Sequence, residues 1–254
     1  MSELVPARVT VDGVGDVSAC WCCAPAARWV LVLAHGAGAG MRHPFMDALA
    51  DALASADVAT FRYQFPYMEA RRRRPDPPEV LTATVRAAVC AAGRGEGLPD
   101  ALRAGVASLP LIAGGKSMGG RMTSRAAAGD GGAHGEGGLP GARAIVFFGF
   151  PLHPPGQRGV TRAAHLERVA LPMLFLQGTR DDFADLTLLR PICDRLAPRA
   201  SLHTVEGADH SFHVLKRSGR TDGDVMRELV ETLVHWLPGR AGEAAGPALP
   251  RAGA

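Results

Sequence analysis

Leu111-Ile-Ala-Gly-Gly-Lys116-Ser117-Met118-Gly119-Gly120 is the stretch whose reading decides the fold. Its apolar opening, Leu109 to Ala113, reads as a buried strand. Two glycines end that strand, and two more after the serine open a helix from about Arg121 to Ala128. Gly115-x-Ser117-x-Gly119 is the pattern of a sharp strand-to-helix turn, the nucleophile elbow, which lifts a hydroxyl above the edge of a sheet. Such a turn crowds main chain against main chain, so its flanking positions favour side chains no larger than hydrogen. A hydroxyl held there faces the space beyond the strand ends, where open parallel sheets place their ligands.

Working outward, the chain alternates strand and helix patterns. Val9 to Val11 and Val17 to Cys23 read as an opening hairpin around Asp-Gly-Val-Gly-Asp. Trp29 to Ala34 is a continuous apolar run, the mark of a strand covered on both faces, and it ends in the nearly side-chain-free loop His35-Gly-Ala-Gly-Ala-Gly40. Phe45, Leu49 and Leu53 predict a helix over 45–55, Val58 to Tyr63 a strand, and Leu81, Val85, Ala88 and Val89 a second helix. Beyond the elbow, Ala144 to Phe148, Met173 to Gln177 and Ser201 to Val205 read as strands. A helix over about 186–196 lies between the last two, and Val225, Leu229, Leu233 and Trp236 give a closing helix. Gly129 to Gly141 reads as a flexible surface loop and Pro238 to Ala254 as a disordered tail. The expectation is one α/β domain over residues 1–237, a mainly parallel sheet with helices on both faces. Each chemistry-rich loop follows a strand, so these loops share the carboxyl edge of that sheet.

A serine hydroxyl is a poor nucleophile until a base takes its proton, and the base needs a third group to hold its tautomer. After Ser117 the chain supplies Asp181 and Asp182 on one strand exit, and His210 and His213 on the next. Asp181 is favoured as the acid, because Asp182 is better placed to cap the following helix. His210 is favoured as the base because it lies at the strand exit, with His213 assigned to packing. Two backbone amides are needed for the charge on a tetrahedral intermediate. Met118, at the start of the elbow helix, and Ala37, in the glycine loop, are the candidates. Lys116 either tunes the surroundings of the serine or projects into solvent.

Other chemistries fail on particular residues. A phosphate-binding P-loop ending in Gly115-Lys116-Ser117 needs a glycine where Pro110 stands, and a dinucleotide fingerprint starting at Gly36 needs one where Met41 stands. Asp209, His210 and His213 suggest a metal site, but no further strong ligand lies at a convincing spacing, so neither metal nor cofactor is expected. A formal charge of +3, almost all from arginine, is too small to argue for nucleic acid. Arg71 to Arg74 read as a solvated loop or, as the lesser alternative, a border of the pocket. Five cysteines in 254 residues give no disulfide framework. No leader or membrane-spanning run is evident, which places the expectation in the cytoplasm. Composition says nothing of oligomeric state.

Together, His35-Gly-Ala-Gly, Phe65-Pro-Tyr67, Gly115-Lys-Ser117-Met-Gly-Gly, Gly149-Phe-Pro-Leu-His153-Pro-Pro, Gly178-Thr-Arg-Asp181 and Gly207-Ala-Asp-His210-Ser resemble a known domain. It is the α/β-hydrolase-like domain of bacterial dienelactone-hydrolase-like proteins, their human testis-expressed relatives and a subunit of the chromatin NSL complex. The resemblance covers residues 25 to 237. It implies an α/β-hydrolase fold with Ser117, Asp181 and His210 as its triad. Dienelactone hydrolases use a cysteine nucleophile; this chain carries serine there. The short segment between Gly149 and a helix around His165 leaves no room for a large cap domain, so the pocket is expected to be open and shallow. The expected function is hydrolysis of small carboxylic esters or thioesters. A catalytically silent binding or scaffold role is the alternative.

Overall fold

The computed structural model describes residues 4–130 and 138–241. One sheet carries eight strands, β1 (Leu4–Val11), β2 (Gly15–Cys22), β3 (Trp29–Ala34), β4 (Val58–Tyr63), β5 (Leu111–Lys116), β6 (Ala142–Phe148), β7 (Met173–Gly178) and β8 (Ala200–Val205). They lie in the order β1-β2-β4-β3-β5-β6-β7-β8. The β1–β2 hairpin is antiparallel and β2 runs antiparallel to β4; every later pairing is parallel.

Side chains alternate across the sheet, so each central strand feeds two cores. Leu31 and Leu33 of β3, Ile112 of β5, Val146 and Phe148 of β6 and Leu174 and Leu176 of β7 pack in one cluster with helices α1 (Pro44–Ala54) and α7 (Asp222–Ala241). Their neighbours face the other way. Val30, Val32 and Ala113 join α3 (Pro78–Gly93) and α5 (Met118–Ala127), while Ile145, Phe147, Met173 and Phe175 join α6 (Leu186–Arg195) and a 3-10 helix at Thr161–Arg168. Strands buried on both faces are therefore continuous apolar runs, which is why β3 is apolar from end to end.

Two short helices, α2 (Pro66–Glu69) and α4 (Asp100–Ala107), were not expected from the sequence. In α4 only Val106 is buried, so it carries no apolar stripe to read. The elbow helix begins at Met118 rather than Arg121, because Gly119 and Gly120 lie within its first turn. The closing helix runs past Pro238 to Ala241. Proline there removes a single late hydrogen bond without ending the helix. The remainder of the expected tail, 242–254, and residues 131–137 of the expected glycine-rich loop lie outside the described residues. Among the described residues no helix is long and apolar enough to cross a membrane, and no two cysteines are joined by a disulfide.

Candidate active site

The site begins with a contact between main chains. β5 lies against β3 with Gly115 opposite Ala34, and α5 leaves β5 so abruptly that its first turn folds back on both strands. A Cβ on Gly119 would stand 2.5 Å from the carbonyl oxygen of Ala34, and one on Gly115 would stand 2.6 Å from the amide nitrogen of Gly120. Neither obstacle can swing aside, so these two positions exclude any side chain. Between them Ser117 sits at φ 50°, ψ −117°, outside the usual regions for a residue with a Cβ. That strain turns its hydroxyl away from the helix and toward the sheet edge. Backbone strain of this kind costs on the order of 1–3 kcal/mol and persists where surrounding packing imposes it.

His210 reaches the serine from the turn after β8. Asp209 shapes that turn: its Oδ1 accepts from the amides of Ser211 at 2.8 Å and His213 at 3.0 Å, and Ala208 bridges to Val214. The imidazole Nε2 lies 2.8 Å from Ser117 Oγ, and Nδ1 lies 2.7 Å from Asp181 Oδ2. With the ring in its Nδ1–H tautomer, Ser117 donates to His210 and His210 donates to Asp181. The ring of Phe183 stacks on the imidazole with centroids 4.2 Å apart.

Asp181 is fixed by three donors. Oδ2 also accepts from Gln177 Nε2 at 2.5 Å, and Oδ1 accepts from the amide of Phe183 at 2.8 Å. Gln177 is itself held, since its Oε1 accepts from the amide of Phe150 at 2.9 Å. The carboxylate has no solvent exposure, so this donor set replaces hydration. Gln177 and Phe183 were not singled out from the sequence, and Asp209 was weighed there only as a metal ligand. The available signal was Gln177, a polar residue ending the apolar run Met173-Leu-Phe-Leu, at a place where burial demands a partner.

The structure thus brings Ser117, His210 and Asp181 together and corrects two neighbouring assignments. Asp182 is exposed and caps nothing; α6 is capped by Asp185, whose Oδ1 accepts from the amide of Thr187 at 2.8 Å. The helix starts later than the sequence suggests, and the cap moves with it. His213 is not a packing residue but an exposed one paired with Asp222, 2.9 Å away, and the acidic partner raises its pKa. The turn around Asp209 points it outward.

Of the oxyanion candidates, Met118 follows the serine directly, and the loop that carries Ala37 approaches it at Gly36, where a Cβ would stand 3.7 Å from Ser117 Cβ. The amides of Ala37 and Met118 are taken up by no acceptor among the described residues. The Ala37 loop is pinned by His35, a tether that sequence reading missed. Its Nδ1–H donates to the carbonyl of Gly36 at 2.8 Å, and its Nε2 accepts from the amide of Phe65 at 3.0 Å. Burial lowers the His35 pKa to about 4, so the ring is neutral, as both bonds require.

Lys116 does not project into solvent. It is the last residue of β5, and its Nζ donates to the main-chain carbonyl of His210 at 2.5 Å. A second Ser–His pair, Ser124 and His165 at 2.7 Å, is buried beneath α5. Ser124 has no exposure, and no carboxylate among the described residues is hydrogen-bonded to that imidazole, so the pair ties α5 to the 3-10 helix. Arg71 to Arg74 are exposed, with Arg72 paired to Asp76, consistent with a solvated loop.

Residues 27–238 match the family model described as an alpha/beta hydrolase domain. The chain is similar to the crystal structure of a dienelactone hydrolase from Anabaena variabilis, with 18% identity over 94% of this chain and 98% of that one and a TM-score of 0.67. It is similar to a Xanthomonas campestris protein described as an α/β serine hydrolase without lid, with 17% identity, coverage of 94% and 97%, and a TM-score of 0.66. A cold-adapted esterase from an Arctic intertidal metagenomic library matches with 17% identity, coverage of 91% and 93%, and a TM-score of 0.59. At such identities the likeness is one of fold.

Proposed function

The chain belongs to the alpha/beta hydrolase domain family, and from that premise we propose a serine hydrolase of small carboxylic esters or thioesters, working through Ser117, His210 and Asp181. The observation that carries this reading is the continuous relay from Ser117 Oγ to His210 Nε2, and from Nδ1 to a carboxylate shut off from water. Packing alone has no use for a strained serine aimed at an imidazole.

In the proposed cycle Ser117 Oγ attacks the carbonyl carbon while its proton passes to His210 Nε2. The negative oxygen is received by the amides of Ala37 and Met118. The tetrahedral centre collapses, and His210 returns the proton to the departing alcohol or thiol. Water, deprotonated by the same nitrogen, then attacks the acyl-serine, and a second collapse releases the acid and restores the hydroxyl. Asp181 keeps the imidazole in the Nδ1–H tautomer and offsets its charge once protonated. The segment from Gly149 to the 3-10 helix at Thr161 carries no further helix or strand, which favours small or exposed acyl groups.

The test is labelling by a fluorophosphonate probe together with turnover of short-chain aryl esters and thioesters. Ser117→Ala should abolish labelling and lower kcat by about a thousandfold or more, the scale seen when a nucleophile is removed. Retention of both activities in that variant would overturn the assignment. Labelling without turnover across the panel would favour the binding role instead.

A further inference from the structure

The residue just before the serine carries more than a strand ending. Lys116 turns inward to the main-chain carbonyl of His210, and its Nζ lies 5.4 Å from the ring centroid of Phe212 and 6.0 Å from that of Phe45. Those two rings stack on each other, 5.8 Å apart. Room for the ammonium exists because position 149 has no side chain. A Cβ there would stand 3.2 Å from Lys116 Nζ and 3.5 Å from both Asp181 Oδ2 and His210 Nδ1. The cation, the carboxylate and the imidazole therefore surround one glycine, which holds a left-handed φ of 73°.

The geometry points to Lys116 as a positioning residue: by donating to the main-chain carbonyl of His210, its ammonium fixes the imidazole between Ser117 Oγ and Asp181 Oδ2. The inference rests on the triad reading above and deepens it. Three strand ends converge here. β5 supplies the lysine and the serine together, the loop after β7 supplies Asp181, and the turn after β8 supplies His210. The His210 turn is otherwise held by its own Asp209, by the Ala208–Val214 bridge and by the amide of Arg180 donating to the carbonyl of Ala208. None of these reaches across to β5. The lysine ties the end of β5 to the main chain of the base loop, beside the bond from Ser117 Oγ to His210 Nε2, so the distance between those two atoms is set within one unit. An error of about 1 Å in such a distance can cost a hundredfold in rate.

An enclosed ammonium is a conditional strut. Desolvation lowers the Lys116 pKa to about 8, while Asp181 and Asp209, the charged groups facing it, act in the opposite direction. The remaining neighbours are the imidazole of His210 and the rings of Phe45 and Phe212. When the proton leaves, an amine can still donate, but the charge that strengthens the bond to the carbonyl and draws Asp181 toward the site is gone.

The experiment compares wild type, Lys116→Met and Lys116→Arg. Methionine keeps a similar length and apolar stem without a donor, and arginine keeps the charge at every accessible pH. The wild-type kcat should fall above pH 8, the pH near which the lysine loses its proton. Lys116→Met should lose about ten- to a hundredfold in kcat with KM changed less than about twofold, and it should lack the alkaline decline. Lys116→Arg should recover about a third or more of kcat and remain flat above pH 8. Melting temperatures separate these effects from misfolding. Proton and nitrogen resonances of the His210 ring, assigned by their loss in His210→Gln, provide a readout independent of turnover. They should shift or broaden in Lys116→Met and stay near their wild-type positions in Lys116→Arg. Unchanged ring resonances in Lys116→Met, or a kcat within twofold of wild type with the alkaline decline intact, would overturn the inference. A wild-type chain that no fluorophosphonate labels would count against the hydrolase reading alone, because the resonances still report whether the lysine places the imidazole.

Discussion

Ser117 stores strain in a backbone conformation that glycine adopts freely, and this makes the residue separable into two parts. Ser117→Ala removes the hydroxyl and keeps the strain; Ser117→Gly removes both. Relief of on the order of 1–3 kcal/mol, less the roughly 0.5–1 kcal/mol that glycine's extra freedom in the unfolded chain costs, leaves a net gain of about 1 kcal/mol. Ser117→Gly should therefore melt about 2–4 °C above Ser117→Ala, both being inactive. Equal melting temperatures would mean that the elbow is relaxed, and that its conformation says nothing about function. Ser117 and the pairs Asp181/Asp182 and His210/His213 could be singled out in the sequence because each follows an apolar run that reads as a strand. Gln177 and Lys116 were harder. Their roles depend on which neighbouring loop each side chain meets, and spacing along the chain does not carry that information.

At the level of elements, the site depends on how closely α5 is drawn against β3 and β5. Gly119 is the test of that contact, since a methyl group there would lie 2.5 Å from the carbonyl of Ala34 and 2.6 Å from that of His35. Gly119→Ala should cost about 2–3 kcal/mol, seen as a lower urea midpoint, because main chain rather than a flexible side chain stands in the way. Gly36 is the control. A Cβ there meets its neighbours at 3.6 Å or more, and Gly36→Ala should change stability by less than about 1 kcal/mol. If the two variants behaved alike, the helix would have to be seated more loosely than described. The apolar strands and amphipathic helices were legible from their periods, and α4 was not, having almost no buried face. The boundary at Arg121 was misplaced for a related reason. Glycine lowers helix propensity in general, but here close approach to the sheet demands it inside the first turn.

Across the whole molecule, two histidines couple the fold to pH. His35 and His165 are buried and both have pKa values lowered to about 4, by desolvation first of all. The unfolded chain protonates them near 6.5, so between pH 6.5 and 4 it binds more protons than the folded chain, and stability rises with pH across that window. Their contribution is complete above pH 6.5 and is lost as pH falls toward 4, by up to about 3 kcal/mol for each residue. Urea unfolding at pH 7 and pH 4.5 should show a marked loss of stability in acid, reduced in His165→Met; equal stabilities would refute it. Because His35 also pins the Ala37 loop to the start of α2, the same protonation should loosen the candidate oxyanion site as the fold weakens. The sequence by itself determined the alternation of buried strands and helices, the glycine-bounded serine and the chain order of serine, aspartate and histidine at successive strand exits, all of which are local patterns of size, polarity and spacing. Only the tertiary structure decided that Asp181 rather than Asp182 meets His210, that His213 turns outward, and that Lys116 reaches the main-chain carbonyl of His210. Those outcomes depend on contacts between loops far apart in the chain, made when parallel pairing brings the carboxyl ends of β5, β7 and β8 to one edge of the sheet.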